Sequence, residues 1–497
     1  MRLHEYFEQR LHTQPEKIAV RFGGKDYAYR KLAGRSTRIA ARLSGEWGVA
    51  AGDRVAYLGS NHLDCITLLA GCGTVGALYL PLNYRLAAAE LSTILQDAQP
   101  RVLVADAQHA ALAQQLAQQI NCAVRDVDEL VAQPCVHPAP HAPVQNNDVL
   151  LVYTSGTTGR TKGVVHTLDA MAANIRASIK GQGIGADDVV LSALPLFHVG
   201  GLCIQTLPAL AAGATVLLHA RFDAGAWLAA VQAHRPTQAL MVPATLRAVI
   251  AHAAWLQTDL SSLKAICAGS STIPAALIDA VHARGVPLTQ VYGSTETGPT
   301  STVLPAHDAV PKAGSAGAAA PGVELCVRAP DAQGIGEVLV RGPNLMRGYF
   351  KHELNNSPTG LDADGWFATG DLGRIDSDGA LWIAGRAKDM LISGGENIYP
   401  AELENVLASV PQIAEAAVIG LPDPRWGEVP VACIVARADA LLDEAAVLAA
   451  FEGKLARFKH PKRIVFLQEL PKNAMGKVEK ARLLTVVTQI LVPQTSS

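Results

Sequence analysis

The sequence has no large excess of charge of either sign. Its 497 residues include 42 Lys and Arg against 44 Asp and Glu, which gives a formal net charge of -2. Proteins that bind nucleic acid as their main ligand usually carry a basic face, so no nucleic acid partner is expected. The chain also lacks an uninterrupted apolar run of about 20 residues, the length that a membrane-spanning helix needs.

Closely spaced cysteine pairs are also missing. The eight cysteines are scattered, and no Cys-x-x-Cys pair occurs. This pattern favours reduced thiols in a cytosolic protein over a disulfide framework. The first residues, MRLHEYFEQRL, mix both charges and contain no apolar run followed by small residues, so no secretion signal is expected. These absences predict a soluble, cytoplasmic protein.

The length exceeds what one hydrophobic core usually spans, so at least two domains are expected. Over residues 10–135, apolar runs such as Val55–Leu58 and Val102–Ala105 alternate with stretches of helical period such as Leu112–Ile120. This alternation is typical of an α/β fold. It returns from residue 149, where buried strands are predicted at Val149–Tyr153, Val189–Ala193, Thr215–Leu218, Gln238–Val242, Ala265–Ala268 and Leu288–Tyr292.

The texture of the sequence changes twice after residue 322. Over residues 322–384, short β-type runs are broken by Gly, Pro and Asp, which predicts a small antiparallel or barrel-like unit. A segment of about a hundred residues, a size at the low end for a domain, begins near Gly385. Its first helix is expected to open at Pro400, since proline suits the first helical turn. The predicted domains are therefore 1–384 and 385–497.

The stretch YTSGTTGRTKG, residues 153–163, contains three glycines, five Ser or Thr side chains, one Arg and one Lys. Glycines let main-chain N–H groups converge on an anion, because no Cβ blocks the approach. The hydroxyls of Thr154, Ser155, Thr157 and Thr158 add donors, and Lys162 adds a positive charge. The Walker spacing fails, because Thr161 stands five residues after Gly156 where that motif has Gly. We therefore expect a phosphate-binding loop of another kind.

Six motifs, in order, resemble those of the AMP-forming acyl-CoA synthetase family. They are residues 153–163, LFHVGG (196–201), YGSTET (292–297), TGD (369–371), GRAKDMLISGGENIYPAELE (385–404) and PKNAMGK (471–477). The resemblance implies a large N-terminal domain of two α/β subdomains plus a small β-barrel-like unit, followed by a small, mobile α+β C-terminal domain. It also implies two half-reactions. A carboxylate attacks the α-phosphorus of ATP to give acyl-AMP, and coenzyme A then displaces AMP to give a thioester.

The resemblance assigns roles to particular residues. Two anions meet in the first step, so Mg²⁺ and a protein cation are required. Glu296 and Thr157 would hold the metal ion, and Lys477 would bridge the carboxylate and the α-phosphate, with Thr295 as a further catalytic residue. The bland alternatives are a solvated loop acid at Glu296 and a solvated lysine at Lys477. The residues that would bind ATP or CoA are Thr154, Ser155, Gly156, Thr157, Thr158, Lys162, Gly269, Ser270, Ser271, Tyr292, Gly293, Asp371, Arg386, Gly394 and Gly395.

Within that set, Asp371 is expected to accept both ribose hydroxyls, since an ionised carboxylate is an acceptor only. Its alternative role is to cap a turn. Adenine would lie beside Tyr292 and the small residues 269–271. Gly394 and Gly395 would line the path of the pantetheine arm or form a plain surface turn. Lys388 occupies the hinge position of the family, where a change of domain orientation would be absorbed.

The acyl pocket would involve His198, Gly200, Met241 and Gly298. The stretches expected to form it, 195–206, 241–245, 267–271 and 291–300, contain no Arg or Lys. A second carboxylate on the substrate would thus lack a counter-charge. An apolar acid fits best, with hydroxycinnamate-like aryl acids slightly favoured over medium-chain or long-chain fatty acids.

Three other functions are also compatible with these residues. The enzyme could load a carrier protein in trans, use acyl-AMP as an oxygenase does, or bind nucleotide without chemistry. A homodimer is also open. A metal site at Cys135, His137 and His141 is rejected for want of a fourth ligand, and Asp223 is expected to cap a helix.

Overall fold

The computed structural model describes residues 3–131, 147–155, 161–351, 360–393, 396–438, 440–473 and 476–491. The α-helices of these ranges are α1 Leu3–Thr13, α2 Tyr29–Ala41, α3 Leu63–Val75, α4 Ala88–Ala98, α5 Ala110–Gln118, α6 Leu168–Gln182, α7 Leu207–Ala212, α8 Ala224–His234, α9 Pro243–Ala251, α10 Ala275–His282, α11 Pro400–Ala408, α12 Glu444–Ala449 and α13 Lys480–Leu491. Two π-helical segments, Arg42–Glu46 and Gly200–Thr206, and three 3₁₀ segments, Val127–Val131, Ala387–Asp389 and Arg457–Lys459, complete the helical structure of the described ranges.

The strands of the same ranges are β1 Ile18–Phe22, β2 Lys25–Ala28, β3 Arg54–Leu58, β4 Leu78–Leu82, β5 Val102–Ala105, β6 Ala123–Asp126, β7 Asp148–Ser155, β8 Thr161–Thr167, β9 Val189–Ser192, β10 Thr215–Leu218, β11 Gln238–Met241, β12 Ala265–Gly269, β13 Leu288–Tyr292, β14 Thr302–Leu304, β15 Gly317–Ala319, β16 Glu324–Arg328, β17 Gly336–Arg341, β18 Gly348–Tyr349, β19 Phe367–Ile375, β20 Ala380–Arg386, β21 Leu391–Ser393, β22 Glu396–Ile398, β23 Ile413–Asp423, β24 Gly427–Ala436 and β25 Arg463–Phe466. They form three sheets. The largest has the order β16-β17-β19-β20-β15-β14-β13-β12-β11-β9-β10-β1-β2, the second β18-β8-β7-β4-β3-β5-β6, and the third β22-β21-β24-β23, with β25 beside β24.

The two larger sheets pack against a shared layer of helices. One core cluster contains residues of β3, β4 and β7 from the second sheet, of β1, β9 and β10 from the largest sheet, and of α2, α3, α6 and α7 between them. Helix α3 is buried along nearly its whole length, which agrees with its mostly apolar sequence, and its buried Asp64 is paired with Arg35. Further helices cover the outer faces, α4 and α5 on the second sheet and α8 to α10 on the largest. The result is the α/β N-terminal unit of two subdomains that the sequence predicts.

Local sequence signals explain where helices of this unit begin. Asp223 precedes α8, and its Oδ1 accepts a hydrogen bond of 2.8 Å from the N–H of Ala226, which confirms the predicted cap. Thr167 caps α6 in the same way, by accepting from the N–H of Ala170 at 3.0 Å. Such caps satisfy main-chain donors that have no partner inside the helix.

The predicted antiparallel unit is present, and it continues the largest sheet. From β13 outward, the strands pair in an antiparallel manner in the order β14, β15, β20, β19, β17 and β16. Within the described ranges β16 pairs with β17 and with no other strand, so the unit is an extension of the sheet with an open edge. Its position brings Asp371 on β19 next to the carboxyl end of β13.

The last sheet forms a small α+β unit with α11, α12 and α13. One apolar cluster joins β23 and β24 to α11 and α12, and a second joins the same strands to α13. The predicted opening of a helix at Pro400 is confirmed. Two long hydrogen bonds link this unit to the rest, from Arg247 to the carbonyl of Ala414 and from Tyr399 to Asp331, each of 3.4 Å. No described helix is both long and apolar enough to cross a membrane.

Candidate active site

The candidate residues gather at one edge of the largest sheet. Met241, Gly269 and Tyr292 end the parallel strands β11, β12 and β13, and His198 follows β9 after a short loop. In open α/β sheets, ligands bind in the crevice outside the carboxyl ends of the strands. The site therefore lies where this topology predicts it.

Asp371 is the buried acceptor at the centre of this site. Its Oδ2 accepts a hydrogen bond of 2.8 Å from the hydroxyl of Tyr292, and its Oδ1 lies 2.8 Å from Nε of Arg386. The main-chain N–H of Asp371 donates to Oγ1 of Thr369 at 3.1 Å. Burial raises the pKa of Asp371, while Arg386 and the Tyr292 hydroxyl act in the opposite direction. A carboxylate held by one phenol and one guanidinium keeps lone pairs for ribose hydroxyls. Both partners are side chains of other strands, so the carboxylate does not act as the cap of a local turn.

Lys477 comes from the small C-terminal unit and reaches the same place. Its main-chain N–H donates to Oδ1 of Asn473 at 3.0 Å, and its carbonyl accepts from the N–H of Asn473 at 2.9 Å. The residue as a whole is exposed, yet burial of its ammonium and the charge of Arg386 lower the pKa of Lys477, and Asp371 raises it. The ammonium therefore sits within the electrostatic reach of the Asp371 cluster, although the two residues belong to different units.

His198 faces the same ammonium from the large unit. Its Nδ1 accepts a hydrogen bond of 3.0 Å from the N–H of Gly200, so the ring proton of the neutral form is on Nε2. Burial and the Lys477 charge lower the pKa of His198 to about 4. The side chain is thus a neutral N–H donor at pH 7, with its tautomer fixed by the loop that follows it.

The predicted phosphate loop connects a β-hairpin. Strands β7 and β8 pair in an antiparallel manner, with Thr154 opposite Lys162 and Ser155 opposite Thr161. The Thr154 hydroxyl donates to the carbonyl of Lys162 at 3.5 Å. Gly156, Thr157, Thr158 and the side chain of Ser155 lie outside the described residues. The two ends of the loop are therefore held by main-chain pairing of the second sheet.

Glu296 follows the carboxyl end of β13 and faces that hairpin. Its Oε1 accepts a hydrogen bond of 3.0 Å from the hydroxyl of Tyr349, and the Lys162 ammonium lies 5.2 Å from the centre of the Tyr349 ring. Thr295 is buried, and its carbonyl accepts from Nε2 of buried His166 at 2.7 Å. These contacts fix the main chain and one carboxylate oxygen of Glu296.

The donor set at Glu296 fits Mg²⁺ bound together with a nucleotide. Magnesium is usually held by one or two carboxylates plus phosphate oxygens and waters, not by an all-protein cage. Among the described residues no group of three or more His, Cys, Asp or Glu side chains could hold a metal ion by itself. The single carboxylate, with one oxygen engaged by a phenol, leaves its other oxygen for such a shared site.

The small residues at the ends of β12 and β13 are required by close main-chain approaches. A Cβ on Gly269 would lie 2.7 Å from the carbonyl oxygen of Val291, and one on Gly293 would lie 2.5 Å from that of Pro299. Ser270 is exposed and has φ +75. A side chain in this left-handed region costs about 1 to 2 kcal/mol. Ser270 and Ser271 therefore form a strained, exposed turn at the predicted adenine position.

A mostly apolar cavity lies behind Glu296 and His198. About 10 Å³ of it is open to the centre of a water molecule, and its lining includes Val199, Cys203, Gly298 and Pro299. Of the residues predicted to form the acyl pocket, Gly298 thus lines the cavity directly. His198 and Gly200 flank the lining residue Val199, whereas Met241 packs in the core beneath α8 to α10.

Helix α6 provides a wall of the cavity that the sequence analysis missed. Ala170, Met171, Asn174 and Ile175 line it. Asn174 donates from Nδ2 to the carbonyl of Cys203 at 2.8 Å and accepts on Oδ1 from the N–H of Thr300 at 3.1 Å. This helix precedes β9 in sequence and carries no chemical motif, so only its apolar face at helical spacing indicated burial. Tyr349 and His166 were also missed, because neither lies in a part of a motif that suggested a chemical role.

The predicted hinge residue and the two predicted pantetheine-path glycines follow β20 in the sequence. Lys388 is the middle residue of the 3₁₀ segment between β20 and β21. Gly394 and Gly395 fall outside the described residues, between β21 and β22 in the sequence. The domain boundary predicted between residues 384 and 385 falls within β20, because this strand continues to Arg386.

Comparison with known proteins gives concordant results. The family model described as AMP-binding enzyme matches residues 7–350, and the model described as AMP-binding enzyme C-terminal domain matches residues 402–477. The indoleacetate–CoA ligase of Aromatoleum aromaticum is 45% identical over 97% of this chain and 97% of its own. A feruloyl-CoA synthase of an Amycolatopsis species is 38% identical over 96% and 97%. Among solved structures, ATP-bound MatB from Rhodopseudomonas palustris superposes with a TM-score of 0.89 at 30% identity, covering 99% of this chain and 100% of that one.

Proposed function

The chain belongs to the AMP-binding enzyme family, and we propose that the acid it activates is an aryl acid of hydroxycinnamate-like size. It is an acid–thiol ligase that uses ATP, Mg²⁺ and coenzyme A. It forms an acyl-AMP with release of pyrophosphate, and then an acyl-CoA thioester with release of AMP. The identity of the acid and the roles of individual residues are the substance of the proposal.

The observation that carries the proposal is the chemistry of the cavity behind His198. Its free space is small, with about 10 Å³ open to the centre of a water molecule, so the chemistry of its lining, and not its size, supports the proposal. Its walls are aliphatic and sulfur-containing side chains, and its lining includes no Lys, Arg, Asp or Glu. A planar apolar group can be desolvated there, whereas a second carboxylate would be buried without a counter-charge.

The few polar groups at the wall are already engaged with protein. Both ends of the Asn174 amide and Nε2 of His166 bond to main-chain groups. The pocket therefore favours a ring whose polar substituents are few. The names of two relatives, indoleacetate–CoA ligase and feruloyl-CoA synthase, are consistent with an aryl acid. A relative named as a long-chain fatty acid ligase is 35% identical, so a fatty acid is the second candidate.

For adenylation we propose the following division of labour. Asp371 binds the ribose hydroxyls, aided by Arg386, and Tyr292 with residues 269–271 contacts adenine. The hairpin loop with Thr154 and Lys162 binds phosphate oxygens, and Glu296 with Thr157 holds Mg²⁺. The ammonium of Lys477 lies between the attacking carboxylate and the α-phosphate, where it offsets the repulsion of two anions. Neutral His198 donates from Nε2 to an oxygen of the acid.

For the second half-reaction we propose a change of domain orientation at Lys388. The units 1–384 and 385–497 would act as the fixed and the moving part. Glycines 394 and 395 would then line the entry of the pantetheine thiol, which attacks the acyl carbon while AMP leaves. The weak pair of 3.4 Å hydrogen bonds across the interface is compatible with such movement.

A panel of carboxylic acids tests the substrate proposal. Each acid is incubated with ATP, Mg²⁺ and CoA, and the release of AMP is measured. We expect kcat/KM for coumarate, ferulate or indoleacetate to exceed that for octanoate by roughly tenfold or more, the scale of burying a matched ring. A dicarboxylic acid of equal length serves as the control and should be inactive. A panel in which fatty acids give the highest values would replace the aryl acid by the second candidate, and a carrier protein that outcompetes CoA would change the thiol acceptor.

A further inference from the structure

The segment of residues 346–350 joins the two halves of the nucleotide site. Strand β18, Gly348–Tyr349, pairs with β8 of the phosphate hairpin. On one side the N–H of Met346 donates to the carbonyl of Glu296 at 2.8 Å, and on the other the N–H of Phe350 donates to the carbonyl of Gly163 at 2.7 Å. One short segment thus contacts both the loop after β13 that carries Glu296 and the phosphate hairpin of the second sheet.

Tyr349 extends this connection to the reactive side chains. Its hydroxyl donates to Oε1 of Glu296 at 3.0 Å, and its ring lies 5.2 Å from the Lys162 ammonium. The phenol therefore touches the carboxylate assigned to Mg²⁺ and the cation assigned to phosphate. The hydroxyl and the ring face use different physical interactions, so they can be removed separately.

We propose that Tyr349 is a positioning residue that aligns the Glu296 carboxylate for Mg²⁺ and the Lys162 ammonium for the phosphates of ATP. A hydrogen bond to one oxygen fixes the rotation of a carboxylate and directs its other oxygen, as partners of metal ligands commonly do. A ring beneath an ammonium restricts it by cation–π attraction. The inference rests on the proposed roles of Glu296 and Lys162.

A purely structural role for Tyr349 has to be distinguished from this one. Its ring also packs against an apolar cluster that includes Leu345 and Met346. A packing role would make substitutions lower thermal stability without any selective change in metal-dependent binding. The informative quantity is therefore the ratio of the ATP dissociation constant in EDTA to that in saturating Mg²⁺, measured by calorimetry on the full-length protein.

The variant Tyr349→Phe removes the hydroxyl and keeps the ring. We expect the ATP dissociation constant in EDTA to stay within about twofold of wild type. The gain in affinity on adding Mg²⁺ should shrink by roughly tenfold, the usual scale for losing a hydrogen bond to a metal ligand. Mn²⁺ binding in the presence of ATP, followed by electron paramagnetic resonance, should weaken in parallel.

The variant Tyr349→Leu removes the ring as well. ATP binding in EDTA should then weaken by about two- to fivefold, the scale of one exposed cation–π contact. Tyr57→Phe is the matched control, because the Tyr57 hydroxyl, on β3 of the same sheet as β18, also donates at 3.0 Å, to the main-chain carbonyl of Ser60. Removal of the control hydroxyl should leave the ratio of the ATP dissociation constants in EDTA and in Mg²⁺ unchanged.

Two results would overturn the inference, and they differ from failure of the proposed function. In the first, the Tyr349→Phe protein keeps the wild-type ratio of ATP dissociation constants, and in the second its affinity for ATP falls equally in EDTA and in Mg²⁺. Either outcome would leave Tyr349 as a packing residue only. Wild-type protein that shows no ATP binding in either buffer would instead contradict the assignment of the nucleotide site itself.

Discussion

Histidine 198 shows how burial sets the chemistry of a single residue at this site. Sequence alone gives an imidazole with an ordinary pKa near 6.5 and no preference between its two tautomers. In the fold, Gly200 donates to its Nδ1, and burial with the Lys477 charge lowers the pKa of His198 to about 4. A neutral donor with a defined proton position results.

The lowered pKa predicts that stability depends on pH in a defined window. Between about pH 4 and 6.5, the unfolded chain binds a proton at His198 that the folded chain does not bind. The contribution of His198 to the free energy of unfolding is therefore fully present above pH 6.5 and is lost as the pH falls towards 4. At pH 5.5 we expect a loss of about 1 kcal/mol from this residue.

Urea unfolding at pH 7 and 5.5 measures this loss. Buried His166 and half-buried His219, whose pKa values are also lowered, add to it, whereas Asp371, with its raised pKa, acts in the opposite sense. The variant His198→Gln isolates the one residue and should show a shallower decline on acidification. Equal declines for wild type and variant would mean that His198 titrates normally in the folded protein.

At the scale of elements, the sequence predicts the strands well and their pairing poorly. Buried parallel strands such as β11 and β12 are short, continuous apolar runs, and this signal is local. The pairing of β8 with β18 joins segments that are far apart in the chain, and no local pattern encodes it. Tyr349 therefore lies beside Glu296 for a reason that becomes visible only in the fold, whereas Asp371 and Lys477 were found through their motifs.

The π-helical segment Gly200–Thr206 is an element that the sequence did not predict. It follows the loop of His198, and Cys203 within it lines the cavity. A Cβ on Gly201 would overlap the main-chain carbonyl of Pro195 and approach that of Leu194. The loop and the segment therefore pack too closely for any side chain at this position.

Gly201→Ala tests that close approach. Overpacking against main chain should lower the free energy of unfolding by about 2 kcal/mol and raise KM for the acid, since the loop carries His198. Gly45→Ala is the matched control, because Gly45 lies in the π-helical segment Arg42–Glu46 and an added Cβ there would meet nothing within 4 Å. Thermal unfolding and steady-state kinetics of both variants measure the change in stability and in KM. Equal behaviour of the two would exclude a steric requirement at Gly201.

At the scale of the whole molecule, the site depends on two units that are joined by a short segment. Asp371, Glu296 and His198 belong to the large unit, and Lys477 to the small one, with the 3₁₀ segment Ala387–Asp389 between them. The length of the chain predicts at least two domains. The relative orientation of the units is not predicted by length or composition, because it depends on contacts between residues far apart in the chain, such as Tyr399 and Asp331.

Lys388→Pro tests the proposed joint. Proline fixes φ near the value of a 3₁₀ segment, so the orientation that brings Lys477 to Asp371 should persist. We expect pyrophosphate release from ATP and acid to be largely kept, and thioester formation from acyl-AMP to fall by roughly tenfold or more. Lys388→Ala, which leaves φ free, should retain both half-reactions. A proline variant that retains both would place the moving joint elsewhere.

The central claim is that the ammonium of Lys477 serves adenylation alone, from the small unit, at the nucleotide held by the large one. The direct measurement compares the two half-reactions of Lys477→Ala, with rapid-quench detection of acyl-AMP from ATP and acid, and of thioester from preformed acyl-AMP and CoA. The account predicts a loss of ~10²-fold or more in the first step, the scale of removing one transition-state donor, with the second step unchanged. Equal loss in both steps, or in neither, would contradict it.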